Sequence, residues 1–125
     1  MAVEIKTYAF DFDGTLTKYN GEFKGHDITD PPRSEVVEAI KLLKSQGHKI
    51  LIYSTRSNSI LKKWCQKHDV PIDYFNENPE YSGQGNPGKP IASVYIDDRA
   101  ICYRGQTAEQ LVKELNDFKV FYKDT

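Results

Sequence analysis

Two hydrophobic periods alternate along the chain, short continuous apolar runs and stripes at helical spacing, and together they predict a parallel sheet with helices between its strands. The first run covers residues 5–12 and reads as a strand. The DPPR segment at 30–33 reads as a helix start, with Asp30 as cap and proline in the first turn. Val36, Ile40 and Leu43 follow at i, i+4 and i+7 as the stripe that faces the sheet, and Gly47 ends that helix. Residues 50–53 form the second strand. A second helix over residues 58–68 buries Ile60, Leu61, Trp64 and Cys65, and Pro71 stops the chain from continuing it. Residues 72–75 and 94–96 are the third and fourth strands. Thr107 and Gln110 have the capping-box spacing and open a helix expected to bury Leu111 and Leu115. Residues 120–122 either add an edge strand or pack as a tail. The pattern is that of an α/β chain with a Rossmann-like, doubly wound, mostly parallel sheet and flanking helices, all within one domain over residues 1–125.

Two stretches lack either period. Residues 17–29 are polar and contain Gly21 and Gly25, and residues 76–88 read NENPEYSGQGNPG, a surface loop by composition. No internal repeat or low-complexity tract is present.

The chemistry concentrates at the end of the first strand, in YAFDFDGTL at residues 8–16. Asp11 and Asp13 are two apart, so on a strand they share a face and leave its end towards one point. Gly14 allows the backbone to turn sharply straight afterwards. Two acids so placed suit a hard cation, a nucleophile and a proton donor gathered on one phosphate. The plainer reading of this segment is an Asp-Gly turn closing a buried strand. Three later segments weigh against it: KILIYSTR at 49–56 and VYIDDR at 94–99, each an apolar run with polar residues at its end, and GKP at 88–90, just before the last of them.

In their order and content these four segments resemble the four motifs of the haloacid dehalogenase-like superfamily of phosphotransferases, whose first motif is D-x-D-G-T. The resemblance runs from about residue 5 to residue 98. It implies that Asp11 is the nucleophile and a metal ligand, forming an aspartyl-phosphate. Asp13 gives the metal its backbone carbonyl, while its side chain protonates the leaving oxygen and then activates water. Ser54 is the expected hydroxyl of the second motif, with Thr55 as the alternative, since a one-residue shift turns the side chain to the other face. Arg56 either contacts substrate or braces the loop. Lys89 is the expected cation that offsets the charge of Asp11 and of the phosphate. Asp97 and Asp98 complete a magnesium site, Asp97 more directly and Asp98 through water or a contact one layer out, and Arg99 is the simplest partner for one of these acids. Thr15 is expected to hydrogen-bond within its own turn, and Lys18 and His26 lie in the flap that the family places beside the nucleophile. Between Lys89 and the acidic pair the family commonly has a helix, and only residues 90–96 stand there in this chain. Neither irregular stretch is long enough to hold a folded cap, so the capless kind is expected.

Bulk properties narrow the partners. A formal net charge of −1 argues against a generic polyanion binder. No apolar run approaches the ~20 residues that span a bilayer, and the start of the chain lacks a secretory h-region, so a cytoplasmic protein without membrane contact is expected. Cys65 and Cys102 fit no metal-knuckle spacing and read as buried free thiols. A phosphorylated substrate is implied, and an open site admits either an exposed phosphate of a macromolecule or a small metabolite covered by a second copy of the chain. The competing readings are a regulatory or non-catalytic phosphate-binding domain. A phosphoacceptor receiver needs its aspartate at the end of the third strand, where this chain has Tyr74, Phe75 and Asn76.

Overall fold

The strands β1 (Thr7–Asp11), β2 (Lys49–Tyr53), β3 (Tyr74–Phe75) and β4 (Val94–Ile96) pair in parallel, in the order β3-β2-β1-β4. The computed structural model describes residues 4–19, 21, 22, 28, 30–83 and 88–123. Helix α1 (Ser34–Ser45) joins β1 to β2, and helix α2 (Asn58–Lys67) joins β2 to β3. Both connections step the same way across the sheet, so both helices lie on one face. There Phe10, Ile50 and Ile52 pack with Ile40 of α1 and with Leu61, Trp64 and Cys65 of α2. Val36 and Leu43 flank Ile40 against the same cluster, as the spacing predicted. Each fully buried Leu or Ile there contributes about 1.5–3 kcal/mol.

Chain direction reverses after β3, because β4 lies on the far side of β1. The ends of β1 and β4 therefore form the switch point at which open α/β sheets hold their ligands. Among its described residues the connection that makes this reversal has a 3-10 turn, Pro79–Tyr81, and no α-helix. It crosses the second face as a loop, held where the Tyr95 hydroxyl donates to the Pro90 carbonyl at 2.6 Å and the buried Asn78 side chain donates to the Ile91 carbonyl at 2.8 Å. Ala9 and Leu51, which point to that face, are fully buried.

Several local expectations are corrected. Helix α1 begins at Ser34 rather than after Asp30. Residues 16–18 run antiparallel to 31–33, with Arg33 N–H donating to the Leu16 carbonyl and Lys18 N–H to the Pro31 carbonyl. The two prolines lie in this pairing, and the Asp30 carbonyl accepts from the Trp64 indole at 3.0 Å. Helix α3 (Ala108–Asp117) has the predicted capping box, but Leu115 is 55% exposed and Leu111 only half-buried. Among the described residues the sheet ends at β4, and no further strand there covers the stripe of α3. The tail alternative holds for the end of the chain: Val120 is buried, and Phe121–Lys123 is a single 3-10 turn. Cys65 is buried, and burial pushes its thiol up to about 12, whereas Cys102 is exposed rather than buried. Among the described residues no helix is long and apolar enough to cross a membrane.

Candidate active site

Asp11 is the last residue of β1, and the chain then folds into a wide turn, Phe12–Leu16, closed by Thr17 N–H donating to the Phe12 carbonyl at 3.1 Å. Phe12 points inward, fully buried and edge-on to Trp64 at 4.9 Å, which anchors the turn. Gly14 takes φ +90, a conformation costly for residues with a Cβ. It is also crowded: a Cβ there would stand 2.5 Å from Asp98 Oδ2. The turn uses Thr17 Oγ1 as its internal acceptor, for Gly14 N–H and Tyr19 N–H. Thr15 instead reaches across to β4 and donates to Asp98 Oδ1 at 3.1 Å, a correction to the expectation of a contact within the turn.

Asp97 and Asp98 follow β4 directly. One carboxylate oxygen from each of Asp11, Asp97 and Asp98 lies within 4.8 Å of the others, all three residues being half-buried. The Tyr53 hydroxyl donates to Asp97 Oδ2 at 2.6 Å, and Arg99 N–H donates to Asp97 Oδ1 at 2.8 Å. The Tyr122 hydroxyl donates to Asp98 Oδ2 at 2.8 Å. The Arg99 guanidinium stands 4.0 Å from the same oxygen, the acid partnership expected for it. Burial first, then the hydrogen bond with Asp98 and the charges of Asp97 and Asp98, pushes Asp11 up to about 9. For Asp98 burial acts upward too, but hydrogen bonds from Asp11, Tyr122 and Thr15 outweigh it and hold this carboxyl below its ordinary value. Burial and the bond to Asp97 raise Tyr53 further above the usual phenol range. Three crowded carboxylates with oxygen-only donors fit a hard divalent cation, which relieves their mutual repulsion.

Asp13 leaves the same turn in a different direction. Both of its carboxylate oxygens face Arg56 Nε, at 3.0 and 3.1 Å. Arg56 thereby ties the turn after β1 to the loop after β2. Ser54 Oγ accepts from Arg56 N–H at 3.1 Å, and Ser54 N–H donates to Asn76 Oδ1 at 2.7 Å. The serine hydroxyl thus keeps its proton for another acceptor. Asp11, Asp13, Tyr19, Ser54, Thr55, Arg56 and Arg99 line one open cleft of about 610 Å³. Lys89 lies outside that lining. Its ammonium rests 4.8 Å from the centre of the Tyr95 ring, which in turn meets Tyr53 edge-on at 6.2 Å. Lys18 is exposed, and His26, with flap residues 20, 23–25, 27 and 29, lies outside the described residues.

Three contributors were not found by sequence reasoning. Tyr53 and Tyr122 hold the acids of β4, and Asn76 holds the loop that carries Ser54. Asn76 has φ +58, a conformation asparagine tolerates, and its position just past β3 was the only signal available.

With this geometry, the structure superposes on a solved conserved protein from Bacteroides thetaiotaomicron at a TM-score of 0.60, with 26% identity over 90% of each chain. In sequence it is 32% identical, over 68 residues, to the polynucleotide 3'-phosphatase ZDP of Arabidopsis thaliana. The parallel sheet and the acidic cluster at its switch point are what the haloacid dehalogenase-like resemblance implies, and no cap lies among the described residues. A second relative, a probable M18 family aminopeptidase 2 of Clostridium novyi, is 26% identical over 96 residues. The matches cover 54% and 77% of this chain but only 10% and 21% of those two relatives. No family model matches.

Proposed function

We propose that the chain is a magnesium-dependent phosphatase that hydrolyses a phosphate monoester through an aspartyl-phosphate on Asp11. The observation that carries this reading is the convergence of Asp11, Asp97 and Asp98 at the sheet's switch point, beside a cleft that also holds Asp13 and Ser54. Asp11, Asp97, Asp98 and the backbone carbonyl of Asp13 would hold the cation. When bound, it neutralises charge on nucleophile and phosphate and so lowers the barrier between two anions.

The side chains then divide the work. Asp11 attacks phosphorus as its carboxylate, and the bond from phosphorus to the ester oxygen breaks. Asp13 gives its proton to that oxygen and is left ionised. It next takes a proton from water, whose oxygen attacks phosphorus and releases Asp11 and inorganic phosphate. Arg56 keeps the Asp13 carboxylate aimed into the cleft. Ser54, or Thr55 beside it, donates to a phosphoryl oxygen. Lys89 offsets the negative charge, which requires its ammonium to leave the Tyr95 ring.

Among the substrates an open cleft admits, the terminal phosphate of a polynucleotide has the support of the similarity to the plant 3'-phosphatase. The alternative is a small metabolite enclosed by a second copy of the chain. Phosphate release from an aryl phosphate, a 3'-phosphorylated oligonucleotide and a sugar phosphate, each with magnesium and with chelator, tests the reading. The expected result is magnesium-dependent release, fastest from the oligonucleotide. Absence of release from every substrate favours the non-catalytic phosphate-binding reading.

A further inference from the structure

The tail that follows α3 returns to the active site and is fastened there from two sides. Val120 is buried, and the Phe121 and Tyr122 rings meet edge-on at 5.3 Å. Arg33, just before α1, lays its guanidinium 4.8 Å from the centre of the Phe121 ring and 6.0 Å from that of Tyr122. Its Nε is buried without a hydrogen-bond partner, so the aromatic faces are what this cation is set against. On its other side the Tyr122 ring stands close enough to Gly14 that a Cβ there would lie 3.0 Å from Tyr122 Cε2. It also meets Tyr19 of the cleft at 6.4 Å. The ring is thereby fixed with its hydroxyl 2.8 Å from Asp98 Oδ2.

We infer that Tyr122 is a positioning residue of the metal centre, holding the Asp98 carboxylate in the orientation in which it serves the cation; this rests on the magnesium-dependent reading above. Asp98 is held at both oxygens, by Thr15 on Oδ1 and by Tyr122 on Oδ2. Two such bonds fix the plane of the carboxylate, and each oxygen still has a lone pair for the cation or its water. The donor is neutral, which matters for the choice of residue. An arginine at hydrogen-bond distance would compete with the cation for the carboxylate charge, and Arg99 stands back at 4.0 Å with an exposed side chain. The tail thus does for Asp98 what the Tyr53 hydroxyl does for Asp97. Partners that orient a metal ligand in this way typically change metal affinity by about 10–100-fold when removed.

Tyr122→Phe deletes one oxygen and keeps the ring, so the tail stays packed. Magnesium binding to the whole chain, followed by calorimetry, should weaken by about 10-fold in this variant. The magnesium-free melting temperature should fall only slightly, by the loss of one hydrogen bond to Asp98, and excess magnesium should return turnover close to that of the unaltered chain. Arg33→Leu, which loosens the tail without touching Asp98, should weaken magnesium binding in the same direction. A Tyr122→Phe protein that binds magnesium as the unaltered chain does overturns the inference and leaves the phosphatase reading standing. An unaltered chain that binds no magnesium overturns both.

Discussion

Arg56 grips Asp13 through a single nitrogen, its Nε lying 3.0 Å from one carboxylate oxygen and 3.1 Å from the other. The pair ties the turn after β1 to the loop after β2, and it sets the two acids 11 and 13 against different partners. Asp11 faces Asp97 and Asp98, while Asp13 faces the cleft and its arginine.

Because Arg56 acts through Asp13, their substitutions should not add. Asp13→Asn should lose most turnover and accumulate acyl-phosphate. Arg56→Ala should lower turnover by about 10–100-fold with magnesium affinity unchanged. The double variant should be no slower than Asp13→Asn alone. Steady-state rates of the four proteins check this, and a double variant slower by the product of the two effects would make Arg56 an independent contact to substrate.

The pH dependence of stability follows from Asp11. Its carboxyl is raised from 3.8 to about 9, chiefly by burial. A raised carboxyl stabilises the folded chain while protonated, so its contribution is complete below the unfolded value and is lost as pH climbs towards about 9. Asp98, held below its ordinary value, works in the opposite sense: its contribution is present above the unfolded value and lost in acid. Between about pH 5 and about pH 8 the Asp11 effect governs, and the magnesium-free melting temperature should fall. Magnesium favours ionised Asp11, so the melting-temperature gain it gives should be larger at the upper end of that range. Calorimetric scans across pH, with chelator and with magnesium, measure both trends, and a magnesium-free melting temperature that rises over this window would contradict the picture.

Gly14→Ala should be the most damaging small substitution in the turn. The positive φ costs about 1–3 kcal/mol for a residue with a Cβ. The new methyl would also press on Asp98 Oδ2 and on the Tyr122 ring. A lowered melting temperature together with weakened magnesium binding is expected, and a variant that loses stability but binds magnesium normally would show that Asp98 has room to yield.

Much of this arrangement was legible from pattern alone, for identifiable reasons. Strand β2 starts within one residue of its apolar run, because burial on a parallel sheet writes itself as a short continuous run. Strand β4 and the start of α2 also fall where predicted, although β4 is largely exposed. The acids at 11, 97 and 98 converge because each ends a strand that neighbours the same switch point. What stayed hidden depended on contacts distant in sequence. The start of α1 was displaced by the pairing of 31–33 with 16–18, which no local propensity records. Leu115 has the right spacing for burial, but among the described residues no strand covers it. Thr15, Tyr53 and Tyr122 carry ordinary polar groups whose roles appear only once β1, β2, β4 and the tail are brought together.

Lys89 gives a sharp test of a role read from motif position. Its ammonium rests on Tyr95 rather than in the cleft. If it moves in with the phosphate, Lys89→Met should lower turnover by about 100-fold or more, with magnesium affinity little changed. A change under about twofold would transfer the charge-offsetting role to another cation, and Arg56 and Arg99 already line the cleft.

The measurement closest to the central claim is acid-quenched trapping of the phosphoenzyme, with a substrate labelled in its phosphate and peptide mapping of the label. The expected result is label on the Asp11 peptide, present with magnesium, enriched in Asp13→Asn and absent in Asp11→Asn verified by mass as undeamidated. Phosphate release that persists in that Asp11→Asn protein, or label on a different residue, would contradict Asp11 as the nucleophile.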